Sequence, residues 1–248
     1  MLTSVRSLMA ATILAGSAFV AAPAAAQDLG VELSGNAAIV SEYRFRGVDL
    51  SGGDIAIQGG VDAALPAGFY VGTWGSSLDE DTVGYGHTEL DVYGGWSGEF
   101  GAISTDIGVI AYLYPNAGPG DFDYIEVYGS VGVGVGPADV TLGVAYAPEQ
   151  DSLGNFDNLY IYGDIGVGIP GTPLSLSGHL GYTDGVLAPD LLVGGTDGTG
   201  FDWSVGADLA LGEVVSVGVA YVGAEGDVQP GFYDATDDAV VLTLGASF

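Results

Sequence analysis

Alternation constrains this chain more than any other feature. In "DYIEVYGSVGVGV", Ile125, Val127, Val131, Val133 and Val135 share one parity, while Tyr124, Glu126, Tyr128 and Ser130 take the other, followed by Gly132 and Gly134. In "NLYIYGDIGVGI", Leu159, Ile161, Ile165, Val167 and Ile169 alternate with Tyr160, Tyr162 and Asp164. In "LSLSGHLGY", Leu174, Leu176, Leu180 and Tyr182 alternate with Ser175, Ser177 and His179. A helix would set Glu126 or Asp164 among apolar neighbours, whereas a strand sends them to the opposite face. Val, Ile, Tyr and Thr are abundant, as pleated surfaces favour.

About twelve such segments fall near 31–47, 54–65, 69–78, 87–98, 100–113, 123–136, 138–147, 157–169, 173–183, 200–211, 213–222 and 239–248. Odd-numbered segments lead into long polar connections such as "DEDTVGYG" and "APEQDSLGNFD"; even-numbered ones lead into tight turns such as "PAG", "GEF" and "GPA". Most reach ten residues, enough to cross a bilayer as a tilted strand, against about five or six in a soluble sheet. The expectation is an all-β, antiparallel up-and-down transmembrane β-barrel of about 12 strands, with 10–14 as the range, because Gly185 to Gly200 has room for a further hairpin.

The start reads as an export signal. Arg6 supplies a positive n-region, "LMAATILAGSAFVAA" an apolar stretch and "AAAQ" a cleavage site after Ala26. Residues 1–26 are therefore expected to be a signal peptide and 27–248 one barrel domain, in the bacterial outer membrane with both mature termini periplasmic. The chain holds 32 acidic residues and three basic ones for a net charge of −29, and losing Arg6 takes this to −30. Such a balance argues against nucleic acid, which selects basic surfaces. Absence of cysteine removes disulfides, thiol catalysis and thiolate metal sites.

Beyond Arg6 the fixed cations are Arg44 and Arg46, together in "YRFRG". Threading the first segment as one strand to residue 47 puts Leu33, Ile39, Tyr43 and Phe45 on the lipid face, with Tyr43 and Phe45 at the interface. Glu42, Arg44 and Arg46 then face the lumen, where an arginine avoids the roughly 2–4 kcal/mol cost of the bilayer midplane. The same parity carries Asp62, Glu89, Asp91, Asp106, Glu126, Asp164 and Asp208, so these ten residues are the expected pore lining. They read either as an ion-pair cluster that ties the first strand to its neighbours or as a charged constriction.

"SEYRFRGVDLSGGDIAIQGGVDA" followed by "GFYVGTWGSSLD" closely resembles the opening of the TorF-type family of proteobacterial porins, and "ELDVYGGWSGEFG" and "FDYIEVYGS" resemble later family segments. The resemblance is close over roughly residues 31–130 and rests on strand pattern beyond. It implies an outer-membrane barrel with pore function and brings no catalytic residue.

The final "AVVLTLGASF" puts Val240, Leu242, Leu244, Ala246 and Phe248 on one parity. Outer-membrane barrels resemble one another in such an aromatic end, so Phe248 is the expected signal to the barrel assembly machinery. Tyr146, Tyr182, Trp203 and Tyr221 outline one interfacial girdle with Tyr43 and Phe45, and Trp96 and Phe248 the other. "GSVGVGVGP" lacks the Lys and the following helix of a phosphate loop, and its glycines are expected to face the lumen.

Acidic loops at Asp79, Glu80, Asp81, at Asp121, Asp123, and at Asp234, Asp237, Asp238 match no calcium motif. They suit a solvated surface, or loose Ca²⁺ or Mg²⁺ binding that bridges lipopolysaccharide; no other cofactor is expected. His87 and His179 lack a second histidine for a metal site or a serine for a triad, so no enzyme is expected. The sequence thus points to a porin-like channel for passive diffusion of small hydrophilic solutes, cation-preferring because rings of Asp and Glu favour cations. Outer-membrane lipids, lipopolysaccharide and solutes are the expected partners. The alternative is a closed structural or adhesive barrel acting through its acidic outer loops. Solute, gating and oligomeric state are left open.

Overall fold

The computed structural model describes residues 24–26, 30–118, 120, 122–226, 228 and 233–248. Most of the expected export signal, residues 1–23, lies outside them, as does Asp121. Twelve long strands follow in order: β1 Val31–Val40, β2 Ala56–Ala64, β3 Phe69–Ser77, β4 Thr88–Phe100, β5 Ile103–Leu113, β6 Tyr124–Val135, β7 Ala138–Gln150, β8 Phe156–Gly168, β9 Leu174–Gly185, β10 Thr199–Leu211, β11 Val215–Ala224 and β12 Ala239–Ser247. Each pairs antiparallel with its sequence neighbours, and β12 pairs with β1 to close the barrel. Ala24–Ala26 adds a short antiparallel pairing to the start of β1.

Closure is made at the C-terminus. Ladder pairs run from Thr243↔Val40 to Ser247↔Asn36, and Gly35 and Phe248 exchange backbone bonds of 2.8 and 3.0 Å. The Phe248 ring covers Gly35 so closely that a Cβ there would come within 3.0 Å of it. An absent side chain thus lets the terminal aromatic lie flat on the seam.

Parity sorts the two faces as alternation predicts. Ile57, Val61, Ile107, Leu142, Val205 and Val240 point outward and stand exposed, an apolar belt suited to hydrocarbon. Tyr146, Phe201 and Tyr221 lie on this face near the long connections; Phe69, Phe100 and Phe248 lie near the short turns. No helix among the described residues is long and apolar enough to cross a membrane. The span with room for another hairpin instead holds a short helix, Pro189–Leu192, which leaves twelve strands.

The core sits inside the barrel, and tyrosine dominates it. Tyr70, Tyr93, Tyr112, Tyr124, Tyr160 and Tyr162 are all buried there. Four lumenal tyrosines face a glycine directly across the ladder: Tyr70↔Gly95, Tyr93↔Gly72, Tyr128↔Gly108 and Tyr162↔Gly143. A Cβ at any of these glycines would approach the tyrosine to 2.6 Å or less. These glycines let large rings lie against the wall, the cross-strand packing that stabilises sheets.

The first strand departs from expectation. It leaves the wall after Val40, not at residue 47, and Ser41 marks the exit with two bonds of 2.8 Å to Leu242. The chain then folds into the lumen as a two-stranded hairpin in which Arg44 pairs with Asp49 and Phe45 with Val48. Its turn residues, Arg46 and Gly47, have φ of 48° and 78°, the signs of the tight turn that suits a twisted hairpin. Every residue from Tyr43 to Ser51 is buried. Tyr43 and Phe45 are therefore core residues of the lumen and not interfacial anchors. Parity along β1 gives a side chain's face only while the chain is part of the wall.

Candidate functional site

The inserted hairpin and the wall around it make the most concentrated set of buried polar groups on the inward face. Local chemistry builds the hairpin. Asp49 Oδ1 accepts from the Ser51 amide and hydroxyl at 2.8 and 3.0 Å, and Oδ2 accepts from the Gly53 amide and the Tyr233 hydroxyl at 2.6 and 2.5 Å. The Tyr43 amide donates to Ser51 Oγ at 2.8 Å. Neighbouring connections clasp it: the Asp49 amide donates to Ala235 O, and the Asp79 amide to Leu50 O. Gly47 lies against β11, where a Cβ would come within 2.5 Å of Gly223 O.

Its two arginines have different partners. Arg44 forms an ion pair with Glu42 and donates from Nη1 to Gly47 O at 2.8 Å and Ala235 O at 2.9 Å. Burial raises the Glu42 carboxyl above its ordinary value, against the pull of Arg44. Arg46 reaches the far wall, where Nη2 donates to both Glu126 oxygens at 2.9 and 2.7 Å. Its guanidinium carbon lies 4.2 Å from the Tyr160 ring centre and 4.8 Å from that of Phe45. Burial disfavours the charge on Arg46, but the adjacent Glu126 carboxylate overrides it and holds the side chain cationic.

The other expected lining residues fall into separate groups on the inward face. Glu89, fully buried on β4, accepts from the Tyr43 hydroxyl at 2.9 Å. Asp91, two residues on, is buried with Oδ1 free of any hydrogen-bond partner among the described residues. Asp62 accepts from Tyr93, and Asp106 from Tyr70, whose oxygen also lies 2.6 Å from that of Tyr128. Asp164 holds His179 Nδ1 at 2.6 Å. Asp208 faces Gly218, half-buried. Of the expected lining acids, Glu42 and Glu126 pair with arginines among the described residues; most of the rest bond to tyrosine hydroxyls or histidine.

Two features escaped the sequence reading. Asp202 on β10 is almost fully buried and accepts from Tyr160 at 3.1 Å, with His179 Nε2 at 3.0 Å. His179 thus has a carboxylate near each ring nitrogen, with the Tyr160 hydroxyl also 2.8 Å from Nε2. The tyrosine lining was also missed, although its inward parity was readable. Toward the short-turn end the inward face is open: Asp139, Ser175 and Gly134 are exposed, and Asp164, Ser177 and Asp208 part-exposed. The inward face is buried beneath the hairpin toward the long connections and more exposed toward the short turns.

In the loops, Asp79 caps the short helix Glu80–Val83 by accepting from the Thr82 amide. Asp123 holds the Tyr114 amide, and Asp234 the Thr236 amide and hydroxyl. No group of three or more metal-ligating side chains with geometry for an ion occurs among the described residues. His87 lies 3.0 Å from the Thr88 hydroxyl.

Among solved structures, the NanC porin superimposes with a TM-score of 0.58 at 8% identity, covering 87% of this chain and 98% of that one. The KdgM porin gives 0.57 at 9% identity over 87% and 98% of the two chains. At such identities the likeness is one of fold: both are porin barrels spanned almost end to end. No curated protein sequence matches the chain. Residues 24–248 match a family described as a bacterial protein of unknown function, Gcw_chp, and the chain belongs to that family.

Proposed function

We propose that this protein is a porin-like channel of the bacterial outer membrane that passes small hydrophilic solutes and prefers cations. One observation carries the reading. The inward wall holds Asp62, Glu89, Asp91, Asp106, Glu126, Asp164, Asp202 and Asp208, while both arginines beyond the export signal sit on an inserted loop. A lumen lined by carboxylates favours cations. The apolar belt, the porin fold and the TorF-type resemblance of "SEYRFRG" support the setting. On this reading residues 1–26 direct export, the short turns and both termini face the periplasm, and Phe248 on the seam addresses the assembly machinery. Lipid and lipopolysaccharide surround the belt, and the loop acids bind Ca²⁺ or Mg²⁺ only loosely. On this reading the protein is not an enzyme, and His87 beside Thr88 and His179 between Asp164 and Asp202 have no catalytic role.

Planar-bilayer recording tests this. Under a KCl gradient the reversal potential should carry the sign of K⁺ selectivity; the opposite sign refutes the preference, and no current from either the native barrel or one lacking the hairpin refutes the channel. A second reading has its own support, since the buried hairpin closes the long-connection end. A closed structural or adhesive barrel would exclude sugars in liposome swelling even after residues 42–51 are replaced by a Gly-Ser linker.

A further inference from the structure

The surroundings of Arg46 divide by origin. Its guanidinium and Phe45 come from the inserted hairpin. Everything else belongs to the wall: Glu126 and Tyr124 on β6, Tyr112 on β5 and Tyr160 on β8. The wall part would persist without the hairpin, because its members hold one another. Tyr112 donates to Glu126 Oε2 at 3.2 Å and stacks on Tyr124 with ring centres 4.5 Å apart. Tyr160 is fixed by Asp202 and stacks on Tyr162 at 5.6 Å. A buried carboxylate walled by aromatic rings recognises guanidinium and ammonium groups, through charge-assisted hydrogen bonds and ring faces together.

Arg46 fills this cage incompletely. Its Nε and Nη1 have no hydrogen-bond partner among the described residues, although the side chain is fully buried. Asp91 Oδ1 is also without one, and Asp91 stands on β4 directly across the ladder from Tyr112. Arg46 also reaches the cage from a turn at φ 48°, a region that side-chain-bearing residues enter at some cost. An unpartnered donor on the hairpin turn and an unpartnered acceptor on the wall suit a ligand with more freedom to place its nitrogens than a residue pinned in a turn.

We propose that Glu126, Tyr112, Tyr124 and Tyr160, with Asp91 beside them, form a lumenal binding site for small organic cations that carry a guanidinium or primary ammonium group. Arg46 is the chain's own occupant of that site. The proposal rests on the channel reading for solute access and names the class of cation such a lumen would select. Solute and hairpin exclude one another at Glu126, so a bound solute holds the hairpin out and an unoccupied barrel keeps it in. Delocalised guanidinium is favoured over a bare metal cation because it stacks on aromatic faces as well as pairing with the carboxylate.

Agmatine, with a guanidinium at one end and an ammonium at the other, is the probe, and butylurea is its neutral control. Calorimetry on the purified mature chain in detergent should show R46A binding agmatine about tenfold or more tighter than the native protein, since removal of the internal competitor raises the competent fraction. R46A/E126Q should lose that gain, and butylurea should bind to neither. Equal affinity in R46A and R46A/E126Q, or no binding to R46A, overturns the site. If R46A loses its heat-modifiable gel mobility, the hairpin-replaced barrel with and without E126Q gives the same comparison. Bilayer recording separates the two claims. Binding that depends on Glu126 without current from any variant refutes the channel and keeps the site. Current that agmatine leaves unblocked, with no binding, refutes the site and keeps the channel.

Discussion

Removing the charge at Glu126 should eject the hairpin, and the chain's own composition supplies the assay. Nine residues, Tyr43 to Ser51, are buried in the lumen. Burying Tyr43, Phe45, Val48 and Leu50 contributes about 1.5–3 kcal/mol each, or about 6–12 in all. Ordering nine backbone units costs about 1–2 kcal/mol each, or about 9–18. Hydrogen bonds such as Tyr43 to Glu89 and Arg44 to Ala235 return about 1 kcal/mol apiece, so the balance lies within a few kcal/mol of zero. The Arg46–Glu126 pair therefore decides whether the hairpin stays. Truncating one partner of a buried pair costs about 3–5 kcal/mol. In E126Q that cost falls on the docked state, and the open fraction should rise by roughly two to three and a half decades. Once the export signal is gone, Arg44 and Arg46 are the only sites for a protease that cuts after Lys or Arg, since the chain has no lysine. Trypsin thus reads this hairpin alone, at a rate that follows the open population. Native barrel in detergent should resist nicking over hours and E126Q should be cut within minutes. A folded, heat-modifiable E126Q cut no faster than the native protein would show that the pair does not hold the hairpin.

Further outcomes follow from the same packing. G143V should lower the midpoint of the heat-modifiable gel shift, because a Cβ there meets the Tyr162 ring at 2.2 Å and overpacking costs about 1–3 kcal/mol; G166V, with nothing within 4 Å, should leave it unchanged. H179A strips Asp202 of its imidazole donor and should cost about 1–3 kcal/mol in urea titration, with H179Q restoring part. Replacing residues 42–51 by a linker removes Tyr43 from its place 5.7 Å from Trp74, so tryptophan emission should shift to the red; an unchanged spectrum would deny the inserted position. Serine in place of Phe248 should slow insertion into lipid vesicles supplied with the assembly machinery, while the refolded protein keeps its strand content by circular dichroism.

The barrel was legible because a wall strand must choose between two solvents at every step. Twelve alternating segments predicted twelve strands, most with ends within a few residues, since a one-residue slip would move a whole apolar face. The exceptions share a cause. Tyr43, Arg44, Phe45 and Arg46 alternate as a lipid-facing strand would, but a hairpin inside a tyrosine-lined lumen alternates for the same reason, with aromatic and charged environments in place of oil and water. One cue was present: fifteen residues separate Val40 from Ala56, more than a rim loop continuing a strand to residue 47 would need. The pairing of lumenal tyrosines with glycines depends on register between strands, which no single segment reveals. Asp202 was passed over for a simpler reason. "FDWSVG" offers an acid between two aromatics near a loop, and only the register of β9 against β10, with His179 opposite Ser204 and Gly181 opposite Asp202, carries it to His179.

The placement of acids bears on the choice between pore and adhesin. An adhesive barrel needs its carboxylates free at the outer rim. Yet Asp79 caps a helix, Asp123 and Asp234 close turns, and Asp190 accepts from the amides of Thr196 and Asp197. These acids are structural members of their own loops. The inward wall is different. Burying Glu89, Asp91, Glu126 and Asp202 is costly, and a barrel that only needed filling would do better with apolar side chains. Tyrosines already supply that filling, and each hydroxyl that reaches a carboxylate offsets only part of the cost of its burial. On the function proposed above, a wall that keeps such charges, answered by one guanidinium carried on an inserted hairpin, serves as a cation path with its own stopper. If swapping Glu89, Asp91 and Glu126 together for glutamine left K⁺ over Cl⁻ selectivity unchanged in a conducting barrel, the acids would be relics of packing and the inference from their burial would fail.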